Sequence, residues 1–245
     1  MDLFGTTRTV VAARHALIAE DGHVPSSFPG WEGATGYVMI SPAMGAEVTQ
    51  ILIKFDEAGG VARFPADGHE HAIYVESGPA EAVWKGGKRD MVSGDFLYMP
   101  VATSLELAGD SATRITLFRK RFEKHDGLEL PPMIAGNADE VPGEPFLGFE
   151  NARLKVLLPA DARYDLAMNI FTYQPGATLP FVETHVMEHG LLMLSGQGIY
   201  RLEDSYYPVK AGDVIWMASY CPQWFVAMGE VPASYLYYKN VNRLP

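Results

Sequence analysis

Apolar residues along this chain fall in short bursts, rich in β-branched and aromatic types and separated by turn residues. Such runs occupy 37–41, 48–55, 72–76, 81–84, 96–99 and 113–119, and again 154–158, 167–173, 189–194, 198–202, 213–217, 224–227 and 234–240. Side chains of these types suit a pleated, half-buried surface, so each run predicts a strand. Gly59-Gly60 and Gly86-Gly87 stand where hairpin turns belong, because glycine reaches positive φ at little cost. Many short strands at this spacing predict an all-β protein made of sandwiches or closed barrels.

Two stretches break the rhythm. Residues 1–35 carry turn signals at Asp21-Gly22 and from Pro25 to Gly30, and only 10–18 hold enough aliphatics to pack. They predict an arm that covers a neighbouring element or subunit. His15 and His23 sit in it without partners and read as structural. Residues 121–150 hold Pro131-Pro132, Pro142 and Pro145, a linker composition in which no regular element is expected. Across this linker the landmarks repeat: Ser77 to Ser195, Gly78 to Gly196, Gly94-Asp95 to Gly212-Asp213 and Met99 to Met217 are each separated by 118 residues. An unbroken offset predicts two barrels of common origin. The chain then divides into an arm (1–35), an N-terminal barrel (36–120), a linker (121–150) and a C-terminal barrel (151–245).

Charge narrows the partners. A net charge of −11 and a pI near 5.0 argue against nucleic acid and anionic membrane surfaces, which need clustered Lys and Arg. A small-molecule partner is expected. The single cysteine, Cys221, excludes an internal disulfide and reads as a small, half-buried apolar residue. With no apolar run of about 18 residues and no signal-peptide pattern, the cytoplasm is the expected compartment.

Candidate chemistry gathers in the second half. Glu183 and His185 stand two apart, a spacing that puts both side chains on one face of an extended strand. His189 follows a short turn and leads Leu191 and Met193 inward at period two. Taken singly, each reads better as a polar residue on a solvated strand, with His189 a satisfied turn histidine. Taken with the flanking Gly176 and Gly196, they read as donors to a metal ion.

This spacing resembles the first cupin motif, Gly-x5-His-x-His-x3-Glu-x6-Gly. Glu183 and His185 fill the histidine places and His189 the glutamate place, although six residues separate Gly176 from Glu183. In the second motif, Gly-x5-Pro-x-Gly-x2-His, counting from Gly212 puts Gln223 at the last ligand, with Ala218 and Tyr220 in place of the proline and glycine. The donor set is Glu183, His185, His189 and Gln223. Two imidazoles, a carboxylate and an amide carbonyl suit Mn²⁺ or Fe²⁺ with open positions better than a closed Zn²⁺ cage. Under the 118-residue offset these positions map to Pro65, Asp67, His71 and Leu105, so the N-terminal site reads as degenerate. His69-Glu70-His71 with Glu76 is a rival His-x-His pair, but only His71 falls on a ligand position, and a surface or turn cluster is expected.

In the last strand Tyr235, Tyr237 and Lys239 share a face. Two readings stand: they look into the barrel beside the metal, or they lie on an edge strand with Lys239 reaching water. Tyr200 and Arg201 are weaker candidates. Glu188 is expected to be solvated or to support a ligand, and Trp216 and Trp224 to pack the core.

The segments Glu183-Thr-His-Val-Met-Glu-His-Gly190, Leu194-Ser-Gly-Gln-Gly-Ile-Tyr200, Pro208-Val-Lys-Ala-Gly-Asp213, Pro222-Gln223 and Tyr238-Lys-Asn-Val-Asn-Arg243 resemble the (S)-ureidoglycine aminohydrolases, a bicupin family of purine (allantoin) degradation. Asp21-Gly-His-Val-Pro-Ser26 and Ile40-Ser-Pro-Ala-Met-Gly45 extend the likeness over nearly the whole chain. The resemblance implies two tandem cupin (jelly-roll) barrels. It also implies Mn²⁺ on Glu183, His185, His189 and Gln223, and substrate bound by Glu183, Gln223, Tyr235 and Lys239. Glu183 and Tyr235 become candidates to move a proton. The implied reaction releases ammonia from (S)-ureidoglycine to give (S)-ureidoglycolate, in a homo-oligomer. Two rival classes use the same scaffold: an Fe²⁺ cupin dioxygenase or isomerase, and a non-catalytic small-molecule binder.

Overall fold

Alternating side chains give each strand an inner and an outer face. In Val48–Phe55 the inner side chains Ile51, Ile53 and Phe55 enter one apolar core. Ile73 and Val75 of His69–Ser77 and Ile115 and Leu117 of Arg114–Arg121 enter the same core. Each such aliphatic side chain, fully removed from water, contributes about 1.5–3 kcal/mol. The computed structural model describes residues 7–101 and 103–243. Among these residues helix is confined to two short 3-10 turns, Glu20–Gly22 and Pro42–Met44. Among the described residues no helix is long and apolar enough to cross a membrane.

The chain forms two compact units. One comprises Val24–Pro142, Lys155–Met168 and Asn240–Pro245; the other comprises Met1–His23, Gly143–Leu154 and Asn169–Lys239. In the first, the central strand His69–Ser77 lies between Asp95–Met99 and Arg114–Arg121, and Leu105–Gly109 lies between Gly60–Phe64 and Ala80–Trp84 in a smaller sheet. In the second, His189–Ser195 lies between Val214–Met217 and Ala233–Asn240, and Gln197–Leu202 lies between Ser205–Lys210 and Gln223–Met228.

Strand pairing reproduces the repeat. Met99 faces His71 as Met217 faces His189. Gly78 and Gly196 both hold positive φ, and an added Cβ would lie 2.6 Å from backbone atoms of Ala112 and Ala233 respectively. Sterics therefore explain why these landmarks are glycine. The offset is not uniform: Arg119 faces His71 and Lys239 faces His189. Phe64, rather than Pro65, stands opposite Leu105.

Two local expectations are corrected. His15 is buried with partners, its Nδ1 3.1 Å from Glu203 Oε2 and its Nε2 2.9 Å from the Tyr207 hydroxyl. His15–Ile18 pairs along Val214–Met217, covering a sheet edge that would otherwise leave unpaired backbone groups. Arg8 fastens the same segment by donating twice to buried Asp213, at 2.7 Å each. Within the proline-rich 121–150, strands form at Ile134–Asn137 and Glu144–Phe146. Ile134–Asn137 pairs with Asp95–Met99, a pairing that supplies the order its local sequence lacks.

Candidate metal and substrate centre

The strand Ala233–Asn240 turns Tyr235 and Tyr237 into the core of its unit. Tyr235, Tyr237 and Lys239 lie opposite Met193, Leu191 and His189. Of the two readings of this strand, the inward one is the observed one. All three side chains line a cavity of about 60 Å³ together with Glu183, His189 and Gln223, room for a compact ligand only. Phe146 and Phe171 form its apolar wall.

Glu183 and His185 do not sit on a regular strand. The stretch from Thr178 to His185 is tied down by isolated bridges, Thr178 to Val226 and Glu183 to Gln223. Pro180 lies between them and can donate no ladder bond. Glu183 and Gln223 exchange backbone bonds of 2.8 and 2.9 Å, and the Tyr220 N–H donates to the His185 carbonyl at 2.7 Å. These bonds hold Glu183 beside Gln223 and fix where His185 begins.

The two imidazoles approach with ring centroids 4.5 Å apart. His185 Nδ1 lies 3.0 Å from the Met187 carbonyl. A proton on Nδ1 donating there leaves the Nε2 lone pair free, and Nε2 faces Gln223 at 3.4 Å. His189 Nδ1 lies 3.1 Å from the same amide nitrogen. His189 Nε2 is buried without a partner, a polar atom whose isolation is costly unless something binds it. Gln223 is oriented by the Tyr200 hydroxyl, which donates to Oε1 at 3.0 Å. Turning that amide over would aim its carbonyl at the imidazoles, an exchange of nitrogen and oxygen that costs little in shape. Among the described residues, no three His, Cys, Asp or Glu side chains are gathered tightly enough to hold an ion. The donors fit a metal ion in kind: Glu183, His189 and Gln223 line one cavity, and His185 lies against His189 and Gln223.

Burial sets the protonation states. Desolvation pushes both imidazoles below their ordinary value, with Lys239 pushing the same way, His189 much further than His185. Both are therefore neutral with lone pairs available. Desolvation raises the Glu183 carboxyl while Lys239 opposes the rise; it lowers the Lys239 ammonium while Glu183 opposes the fall. Burial also raises the Tyr235 and Tyr237 phenols, which stay protonated donors.

Sequence reasoning undervalued Tyr200, which orients Gln223, and missed Tyr173, whose hydroxyl lies 3.1 Å from that of Tyr235. Phe171 and Tyr173 share the inner face of Leu166–Tyr173, so period two was the available signal. Glu188 is buried rather than solvated and accepts from Tyr238 at 3.1 Å. Arg201 bonds to the Glu203 carbonyl and to Asp204, outside the cavity lining. Cys221, Trp216 and Phe225 are core, whereas the Trp224 indole is partly buried and donates to the Leu179 carbonyl. His69-Glu70-His71 is a strand segment, not a surface cluster, with Glu70 and His71 fully buried.

A family model described as "Cupin domain" matches residues 169–238. A rice protein (Oryza sativa subsp. japonica) named "Probable (S)-ureidoglycine aminohydrolase" is 40% identical over 250 residues, covering 100% of this chain and 78% of its own. This chain belongs to the (S)-ureidoglycine aminohydrolase family. The Arabidopsis thaliana (S)-ureidoglycine aminohydrolase is 36% identical, with 100% of this chain and 81% of that protein covered. Among solved structures, the protein Ylba from E. coli superposes with a TM-score of 0.86 at 31% identity, over 97% of this chain and 96% of its own. The fold of this (S)-ureidoglycine aminohydrolase family chain is thus all-β and bicupin.

Proposed function

We propose that this chain is a metal-dependent (S)-ureidoglycine aminohydrolase of allantoin catabolism, releasing ammonia and forming (S)-ureidoglycolate. The observation that carries this reading is that Glu183, His189, Gln223, Tyr235 and Lys239 line one small cavity in a member of this family. Glu183, His185, His189 and Gln223 would hold a divalent ion, Mn²⁺, on neutral imidazole nitrogens, a carboxylate and an amide oxygen. Such an ion, when bound, supplies a Lewis acid that fixes and polarises the substrate.

The remaining steps belong to side chains. Lys239 pairs its ammonium with the substrate carboxylate, and desolvation strengthens that pairing. Tyr235 donates a hydrogen bond that orients the ureido acid, itself aligned by Tyr173. Glu183, with its carboxyl raised by burial, accepts a proton from water at a carboxylate oxygen and returns it to the departing amine. The C–N bond breaks, a C–O bond forms, and ammonia leaves. Fixing the reactants in one small cavity supplies much of the rate. A homo-oligomer in the cytoplasm is the proposed setting.

The test is ammonia release from freshly generated (S)-ureidoglycine by wild type and Glu183→Ala, with metal analysis of both. Wild type should exceed spontaneous decay and carry Mn²⁺, and the variant should lose both. A wild type no faster than spontaneous decay removes the assignment, and O₂ uptake would move it to the dioxygenase class.

A further inference from the structure

The N-terminal unit holds a cavity of its own, about 320 Å³, that the proposed reaction does not use. Its apolar wall is built from rings. Phe28 and Trp31 stack with centroids 4.4 Å apart and planes 25° apart, and Trp31 meets Phe64 edge-on at 5.4 Å. The Trp31 indole donates to the Arg63 carbonyl at 3.1 Å, which fixes its plane. Gly36 supports this wall: a Cβ there would come within 2.4 Å of the Phe28 ring.

The polar lining comprises Thr49, Arg63, Arg119 and Asp67, with Arg63 paired outward to Glu32 and Glu106. Arg119 bonds to the Asp67 carboxylate and lies 3.0 Å from His69 Nδ1. The Arg119 side chain keeps 22% of its surface exposed and lines the cavity beside that pair, a guanidinium with five N–H donors in all.

Comparison of the two units through their strand pairing shows what changed. Arg119 lies opposite His71 as Lys239 lies opposite His189, so the cation persists. Phe64 and Leu105 form a pair where the other unit has Glu183 and Gln223. A carboxylate and an amide have given way to apolar groups, while the space has grown.

We propose that this cavity binds a small planar ring carboxylate without a metal ion, its carboxylate on Arg119 and its ring against Trp31 and Phe64. Guanidinium matches carboxylate geometry, and aromatic walls favour a flat apolar body.

Titration calorimetry of the full-length protein with benzoate, nicotinate and orotate tests this, with benzyl alcohol as the uncharged control. At least one carboxylate should show a single saturable site per chain. Arg119→Gln should weaken it by roughly tenfold or more, the loss expected for a charged hydrogen bond. Ile51→Trp, which fills the cavity from its wall, should abolish it even if Arg119→Gln fails to fold. Lys239→Met should leave it intact. No saturable binding by any of the three, binding unchanged in Ile51→Trp, or binding lost in Lys239→Met would overturn the proposal. None of these outcomes depends on ammonia release.

Discussion

Glu70 offers the sharpest test of how burial controls charge in this chain. Its side chain is fully buried, and the Tyr98 hydroxyl donates to Oε2 at 2.5 Å. Desolvation first, then the neighbouring Asp165 carboxylate, raise its pKa well above the ordinary carboxylate value. Asp165 accepts from Lys120 Nζ and from the Glu123 N–H through Oδ2, both at 2.8 Å. That leaves Glu70 Oε1 and Asp165 Oδ1 as buried oxygens without a donor. One proton on Glu70 satisfies both. Glu70→Gln supplies a permanent equivalent: its amide donates to Asp165 while its carbonyl accepts from Tyr98.

The sign follows from linkage. A carboxyl whose folded value is raised contributes stability that is fully present below the unfolded value and lost as pH rises through the folded one. Between those limits the wild type should lose up to about 1.4 kcal/mol per pH unit relative to Glu70→Gln. Near pH 4 the two proteins should be close. Urea unfolding of both, followed at half-unit intervals from about pH 4 to pH 9, measures the difference. Parallel profiles across that range would refute the reasoning. Glu70→Ala should be less stable than Glu70→Gln throughout, by about 1–3 kcal/mol for the polar groups it strands.

Other expectations follow from the same structure. Lys120→Met strands the buried Asp165 charge and should cost about 3–5 kcal/mol, with much of the loss recovered in Lys120→Met/Asp165→Asn, which removes the charge while its amide oxygen still accepts from the Glu123 N–H; thermal melts of both variants check this. With the Gln223 amide turned so that its oxygen faces the imidazoles, the Tyr200 hydroxyl accepts from its nitrogen; Tyr200→Phe removes that support and should weaken Mn²⁺ binding about 10-fold to 100-fold, measured by competition with a chelator. Lys239→Met should lower kcat/KM for (S)-ureidoglycine by roughly a hundredfold, the worth of a buried charged contact, while leaving the protein folded by circular dichroism.

The strands were legible because burial on one face writes period two into the sequence, as in Val48–Phe55 and Ala233–Asn240. The repeat was legible because glycines such as Gly78 and Gly196 are fixed by close backbone approach. Periodicity could not show that Glu183 and His185 sit on a bridged, irregular stretch, since Pro180 and pairing with Gln223 shape it. Nor could it reveal Tyr200, whose role arises only when Gln197–Leu202 pairs with Gln223–Met228. Glu70 reads locally as a surface charge between two histidines. Its interaction partner Asp165 lies 95 positions away in the chain.

The strand His15–Ile18 closes against Val214–Met217, and the latter directly neighbours the His189 strand. A ribosome therefore finishes this protein long after making the piece that seals the half carrying the candidate site. That early segment must wait through some two hundred residues of synthesis before its partner exists, a delay of roughly 10–40 s at ordinary elongation rates. Deleting residues 7–23 would leave the outer edge of Val214–Met217 unpaired.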